Sequence, residues 1–191
     1  MQTTDVRETS PERGGRSLVD LLPAGRSLFA VTTLAVFLAV ASFAVFGASG
    51  RALVGAILCP TLVVLASIDL RHRLLPNTIV FPAIVAVLLA VAGANPHGFF
   101  EHLWAGLALG GFLLVFVLVF PAGLGMGDAK VGFLIGFALG WRTLSAMVIA
   151  FFGLFLAALW IISRQGLSAR RQSLPFGPFL AFGTIVAFFL T

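Results

Sequence analysis

The sequence is poor in charge and contains no tyrosine. Of its 191 residues, 10% are Asp, Glu, Lys or Arg, against about a quarter in an ordinary soluble domain. A chain this short of charge cannot cover itself with polar surface in water, which argues against a soluble globular protein. Cysteine is nearly absent as well: Cys59 stands alone inside an apolar run. That excludes an internal disulfide and a Cys-x-x-Cys zinc site. Neither a metal nor a cofactor is expected. No internal repeat and no second domain is visible.

What is abundant is apolar. Hydrophobic residues make up 60% of the chain, 20 of them Phe, and mean hydropathy is +1.10. The implied solvent is lipid. The formal charge is +5 and the pI about 11.4. In a soluble protein that balance suggests nucleic acid. Here the cations lie between apolar runs and read as topology signals, so the expected partner is membrane lipid and no nucleic acid. No feature of the sequence sets an oligomeric state.

A span across about 30 Å of hydrocarbon needs roughly 20 apolar residues, with about 17 as a lower limit. Runs of this kind cover 27–48, 52–68, 75–93, 99–120, 129–141, 143–162 and 174–191. The fifth has 13 residues and reads as a tilted short helix, a re-entrant piece or half of a broken span. The expected fold is an all-α polytopic transmembrane helix bundle with about seven spans, six remaining open. Residues 1–26 are polar and too mixed for the basic start of a signal peptide. They are expected to form a flexible cytoplasmic tail, and 27–191 one membrane-embedded domain.

The cations give an orientation. With seven spans and a cytoplasmic N-terminus, ten fall inside: Arg7, Arg13, Arg16, Arg26, Arg71, Arg73, Lys130, Arg164, Arg170 and Arg171. Only Arg51 and Arg142 fall outside, an asymmetry that favours this arrangement in a cell's inner membrane. Breakers agree with the boundaries. Pro76 suits the first turn of the third span, Asn95, Pro96 and Gly98 mark an external turn, and Pro121 and Gly123 end the fourth span. Gly166 sits in the last internal loop.

Acids are scarce, and four of the seven, Asp5, Glu8, Glu12 and Asp20, lie in the tail. Asp69, Glu101 and Asp128 remain. A carboxyl at membrane depth costs several kcal/mol by most estimates and asks for a reason. Asp69 ends the second span in Ile68-Asp69-Leu70, followed by Leu75-Pro76-Asn77. Asp128 stands in Gly125-Met126-Gly127-Asp128-Ala129-Lys130, directly before the fifth span. On the expected topology both meet the cytoplasmic face. Two neighbouring carboxyls share a proton, so one activates water while the other donates to a carbonyl. Gly125 and Gly127 are suited to a positive φ or to close backbone approach.

These strings, with Pro175-Phe176-Gly177-Pro178-Phe179-Leu180-Ala181, resemble the type IV prepilin peptidases, membrane aspartic peptidases that carry a Gly-x-Gly-Asp motif. The resemblance covers roughly residues 55–185. It implies that Asp69 and Asp128 are the catalytic pair, supported by Gly125, Gly127, Lys130, Pro76, Asn77, Pro175, Gly177 and Pro178. It also implies a prepilin or pseudopilin substrate whose short basic leader is cut from its hydrophobic helix at the cytoplasmic face. Larger members carry an insert with two Cys-x-x-Cys pairs associated with N-methylation. This chain has none, so it is similar to the short peptidase-only branch.

Rival readings stand beside this one. A proton- or cation-coupled transporter would use the same two acids, and an assembly factor would keep the fold without chemistry. Asp69 is open to pairing with Arg71 or Arg73. Asn77 suits either a helix cap or a hydrogen bond to Asp69. Lys130 reads as an interfacial anchor near the acids, and His72 as part of a basic topology loop. Gly106, Gly110 and Gly111 read as helix packing, Glu101 and His102 as a solvated rim, and Trp104, Trp141 and Trp160 as interface residues.

Overall fold

The structure, a computed structural model, describes residues 22–23, 25–120, 125–165 and 176–190. Nearly all of the expected tail, together with Pro121, Gly123, Gly166, Arg170, Arg171 and Pro175, lies outside the described residues. The described chain is helical throughout: α1 (Arg26–Phe46), α2 (Gly50–His72), α3 (Asn77–Ala94), α4 (Phe99–Val119), α5 (Met126–Leu139), a 3₁₀ turn (Gly140–Arg142), α6 (Thr143–Gln165) and α7 (Gly177–Leu190).

Side-chain contacts show that successive helices run in opposite directions. Arg71 donates to Ser27 Oγ at 2.5 Å, so α1 begins where α2 ends. Arg51 stacks on Phe46 at 4.2 Å, so α1 ends where α2 begins. Gly50 meets Ala94, which brings the end of α3 to that same level. His102 Nδ1 lies 2.9 Å from the Phe137 carbonyl, which puts the end of α5 beside the start of α4. Arg51 also donates to the Phe188 carbonyl at 2.9 Å, so α7 ends there too. The bundle thus has two ends: one with Asp69, Asn77 and Met126, the other with Arg51, Asn95, His102 and Arg142.

The short fifth element does run from one end to the other. It has 14 residues, about 21 Å at 1.5 Å per residue, and most of it is buried by other helices. Its length suits an inner helix. By length and composition α1 to α4 and the run Met126–Arg164 are each sufficient to cross a membrane, while α7 is shorter.

Burial divides the helices by role. Half of α2's apolar window is buried, against 11% for α1. Leu58, Leu62, Leu65 and Ile68 of α2 form a fully buried stripe at helical spacing. Gly106 and Gly110 of α4 face Phe137 and Phe133 of α5, and a methyl group at Gly136 would come 2.7 Å from the Ala105 carbonyl. Small residues spaced by four let α4 and α5 approach backbone to backbone. Gly111, expected to share this role, has nothing within 4 Å; it sits off that face. The outer surface is apolar: Phe29, Phe37, Leu118 and Phe152 are each more than half exposed. Such a surface is solvated by lipid, not water.

Two backbone details position the site. α2 is closed by Arg73 in the left-handed region (φ 51°), whose N–H bonds the Asp69 carbonyl at 2.9 Å. Pro76 precedes α3 as its N-cap, one residue earlier than expected; its carbonyl accepts from Ile79 and Val80.

Candidate active site

Asp69 lies in the last turn of α2 with 7% of its surface exposed, and Asp128 in the first turn of α5 with 8%. They belong to one end of the bundle, and their charges are close enough to interact. Each carboxyl is held by the backbone N–H of one motif glycine. Asp69 Oδ2 accepts from Gly177 N at 3.2 Å, across 108 positions of sequence. Asp128 Oδ2 accepts from Gly125 N at 3.1 Å, reaching back over the start of its own helix. Its other oxygen, Oδ1, is buried with no protein hydrogen-bond partner among the described residues. A buried polar atom of that kind asks for a functional or structural reason.

The glycines are explained by contact. A methyl group at Gly177 would sit 2.6 Å from Asp69 Oδ2, and one at Gly127 would sit 2.6 Å from Leu75 Cβ. The expectation of positive φ fails: Gly125 has φ −85°, and Gly127 is not among the positive-φ glycines. Close approach is the requirement at Gly127 and Gly177, whereas a methyl group at Gly125 would make only an ordinary contact, 3.4 Å from Asp128 Oδ2. Pro178 falls in the first turn of α7, where its missing N–H costs nothing. It starts the helix and does not break it.

Lys130 and Asn77 find each other. Lys130 Nζ donates to Asn77 Oδ1 at 2.6 Å and lies 5.5 Å from the Phe81 ring centre. Neither role expected for Asn77 holds. It is the first residue of α3, with no side-chain cap bond there, and its carbonyl oxygen faces Lys130 instead of Asp69. The pair ties the second turn of α5 to the first residue of α3. Arg71 turns to Ser27 of α1, while Arg73 remains within electrostatic range of Asp69. Leu75 and the buried Phe176, whose ring lies tilted against Phe151 with centres 5.6 Å apart, complete the surroundings. Both stood inside quoted strings, but nothing in the sequence marked them as contacts.

Carboxyls that lie within a few Å of each other can share a proton, which would offer both an acceptor and a donor to a bound water or carbonyl. The molecule is thus a multi-pass helical membrane protein with an acid pair at one end of its bundle. The chain belongs to the type IV leader peptidase family, which it matches over residues 56–162. It is 32% identical over 165 residues to a prepilin leader peptidase/N-methyltransferase of Burkholderia pseudomallei, covering 80% of this chain and 51% of that protein. A protein of the same name from Bacillus subtilis is 33% identical over 149 residues, 75% of this chain and 58% of the relative. Leader peptidase HopD of Escherichia coli is 31% identical over 119 residues, 59% of this chain and 77% of HopD. The chain spans about half the length of the first two relatives. No solved structure matches it.

Proposed function

We propose that the chain is an intramembrane aspartic endopeptidase that removes the leader of prepilin- or pseudopilin-type substrates at the cytoplasmic membrane face. The observation that supports the reading is that Asp69 and Asp128, both nearly buried, lie at the same end of the bundle. Among the described residues that end also holds Arg26, Arg71, Arg73, Lys130 and Arg164, while the opposite end holds Arg51 and Arg142. That asymmetry supports a cytoplasmic position for the acids.

In the proposed reaction the ionised carboxyl takes a proton from water as the oxygen attacks the scissile carbonyl. The protonated carboxyl hydrogen-bonds that carbonyl and stabilises the tetrahedral intermediate. A proton then passes to the leaving amine as the C–N bond breaks. Gly177 and Gly125 fix one oxygen of each carboxyl, so the remaining oxygens meet water and substrate in a set orientation. The proposal includes proteolysis and no methyl transfer, because Cys59 is the sole cysteine and the Cys-x-x-Cys pairs that the resemblance links to methylation are lacking.

The test is co-expression with a prepilin, comparing the intact chain with Asp69→Asn and Asp128→Asn. Loss of leader removal in both, with normal protein levels, supports the mechanism. Cleavage persisting in either refutes it. An intact chain that leaves every prepilin uncut while conducting protons would instead support transport.

A further inference from the structure

At the end of the bundle away from the aspartates is a cavity of about 460 Å³, lined by Arg51, Glu101, His102 and Arg142 among others. Arg51 and Asp69 are 18 positions apart on α2, so roughly 27 Å of helix separates this cavity from the acid pair. The proteolytic chemistry makes no use of it. The guanidiniums come from distant parts of the chain, one from the start of α2 and one from the turn between α5 and α6, yet their charges are close enough to interact. Bringing two like charges to one cavity costs free energy, which the Glu101 carboxylate in the same lining offsets in part.

Arg51 is pinned: it stacks over Phe46 at 4.2 Å and Phe188 at 5.5 Å, and bonds the Phe188 carbonyl. Arg142 is exposed at the rim. His102 Nδ1 faces the Phe137 carbonyl at 2.9 Å. A carbonyl only accepts, so Nδ1 carries the hydrogen in the neutral ring. Two guanidiniums against the Glu101 carboxylate leave a formal charge of +1 in the cavity. Guanidinium forks match phosphate oxygens bidentately. Trp104 and Trp141, close in sequence to His102 and Arg142, are 64% and 55% exposed, which suits the level of a membrane interface.

We propose that this cavity binds the phosphate-bearing headgroup of an anionic phospholipid in the leaflet opposite the aspartates, with Arg51 and Arg142 as its phosphate ligands. The headgroup phosphate offsets the formal positive charge left in the cavity and joins the α1–α2, α3–α4 and α5–α6 turns, which all reach this end. Glu101 tempers the affinity by repelling the phosphate.

The full-length protein in neutral detergent is titrated with phosphatidylglycerol, phosphatidylcholine or inorganic phosphate while thermal unfolding is followed. Phosphatidylglycerol is expected to raise the unfolding temperature saturably, and the other two are not. Arg142→Gln, an exposed change that spares the pinned Arg51, raises the half-saturating lipid concentration about tenfold, the equivalent of one charged hydrogen bond. Glu101→Gln lowers that concentration, which a merely structural arginine pair would not produce. Equal half-saturation in the intact chain and Arg142→Gln overturns the proposal, as does an equal response to phosphatidylcholine. An equal response to inorganic phosphate identifies a free-anion site and overturns the lipid assignment.

Discussion

Asp69 accepts a backbone hydrogen bond from a residue 108 positions away, and the geometry of that bond depends on the absence of a single methyl group. Gly177→Ala would place Cβ 2.6 Å from Asp69 Oδ2. The expected outcome is a drop in leader cleavage of at least tenfold with the protein still folded, read by cleavage rate beside thermal unfolding. A variant that cuts at the normal rate would show that the Gly177 contact does not position Asp69. The aspartates themselves are held to a harsher expectation. A positioned acid or base contributes about 10²- to 10⁴-fold to a rate, so each Asp→Asn change should lower cleavage by at least 10²-fold. Because the proposed chemistry runs on two carboxyls, adding EDTA to the purified enzyme should leave turnover unchanged; strong inhibition would point to a different catalyst.

At the scale of the helices, two contacts hold the acid-bearing α5 in place. One is the Lys130–Asn77 bond at 2.6 Å to α3. Asn77→Ala and Lys130→Met should each cost about 1 kcal/mol, and the double variant should cost much less than the sum, because both remove one interaction. Additive losses in a double-mutant cycle would mean that the bond contributes nothing. The other contact is the close approach of α4 and α5. Gly136→Ala forces a methyl against the Ala105 carbonyl at 2.7 Å and should destabilise by about 1–3 kcal/mol. Gly111→Ala meets nothing within 4 Å and should be neutral or slightly stabilising, since alanine favours helix. Denaturation in detergent separates the two outcomes.

At the scale of the whole molecule, charge asymmetry and function make one joint demand: the aspartate end must face the cytoplasm if it is to cut a cytoplasmic leader. In a Cys59→Ala background, single cysteines report on each end. His97→Cys lies in the exposed turn before α4, and Leu74→Cys in the exposed segment after α2. A membrane-impermeant thiol reagent should label the first in intact cells and the second only after permeabilisation. The reverse pattern would invert the bundle and place the acid pair on the wrong side for its proposed substrate.

Apolar run length, charge placement and the two short motifs were local properties, so the sequence alone was enough to read the helical class, seven helices to within a few residues, and the two acids as candidates. Lipid as solvent makes that reading direct, because every backbone group in a spanning segment must bond within its own helix. What faces what is a property of packing between distant segments. Only the tertiary structure decided that Lys130 meets Asn77, that Gly177 serves Asp69, that Gly127 needs closeness and not a left-handed turn, and that Arg51 and Arg142 share a cavity. Each of these depends on how helices remote in sequence are rotated against one another, and helix rotation is set by interlocking side-chain shapes that hydropathy does not record.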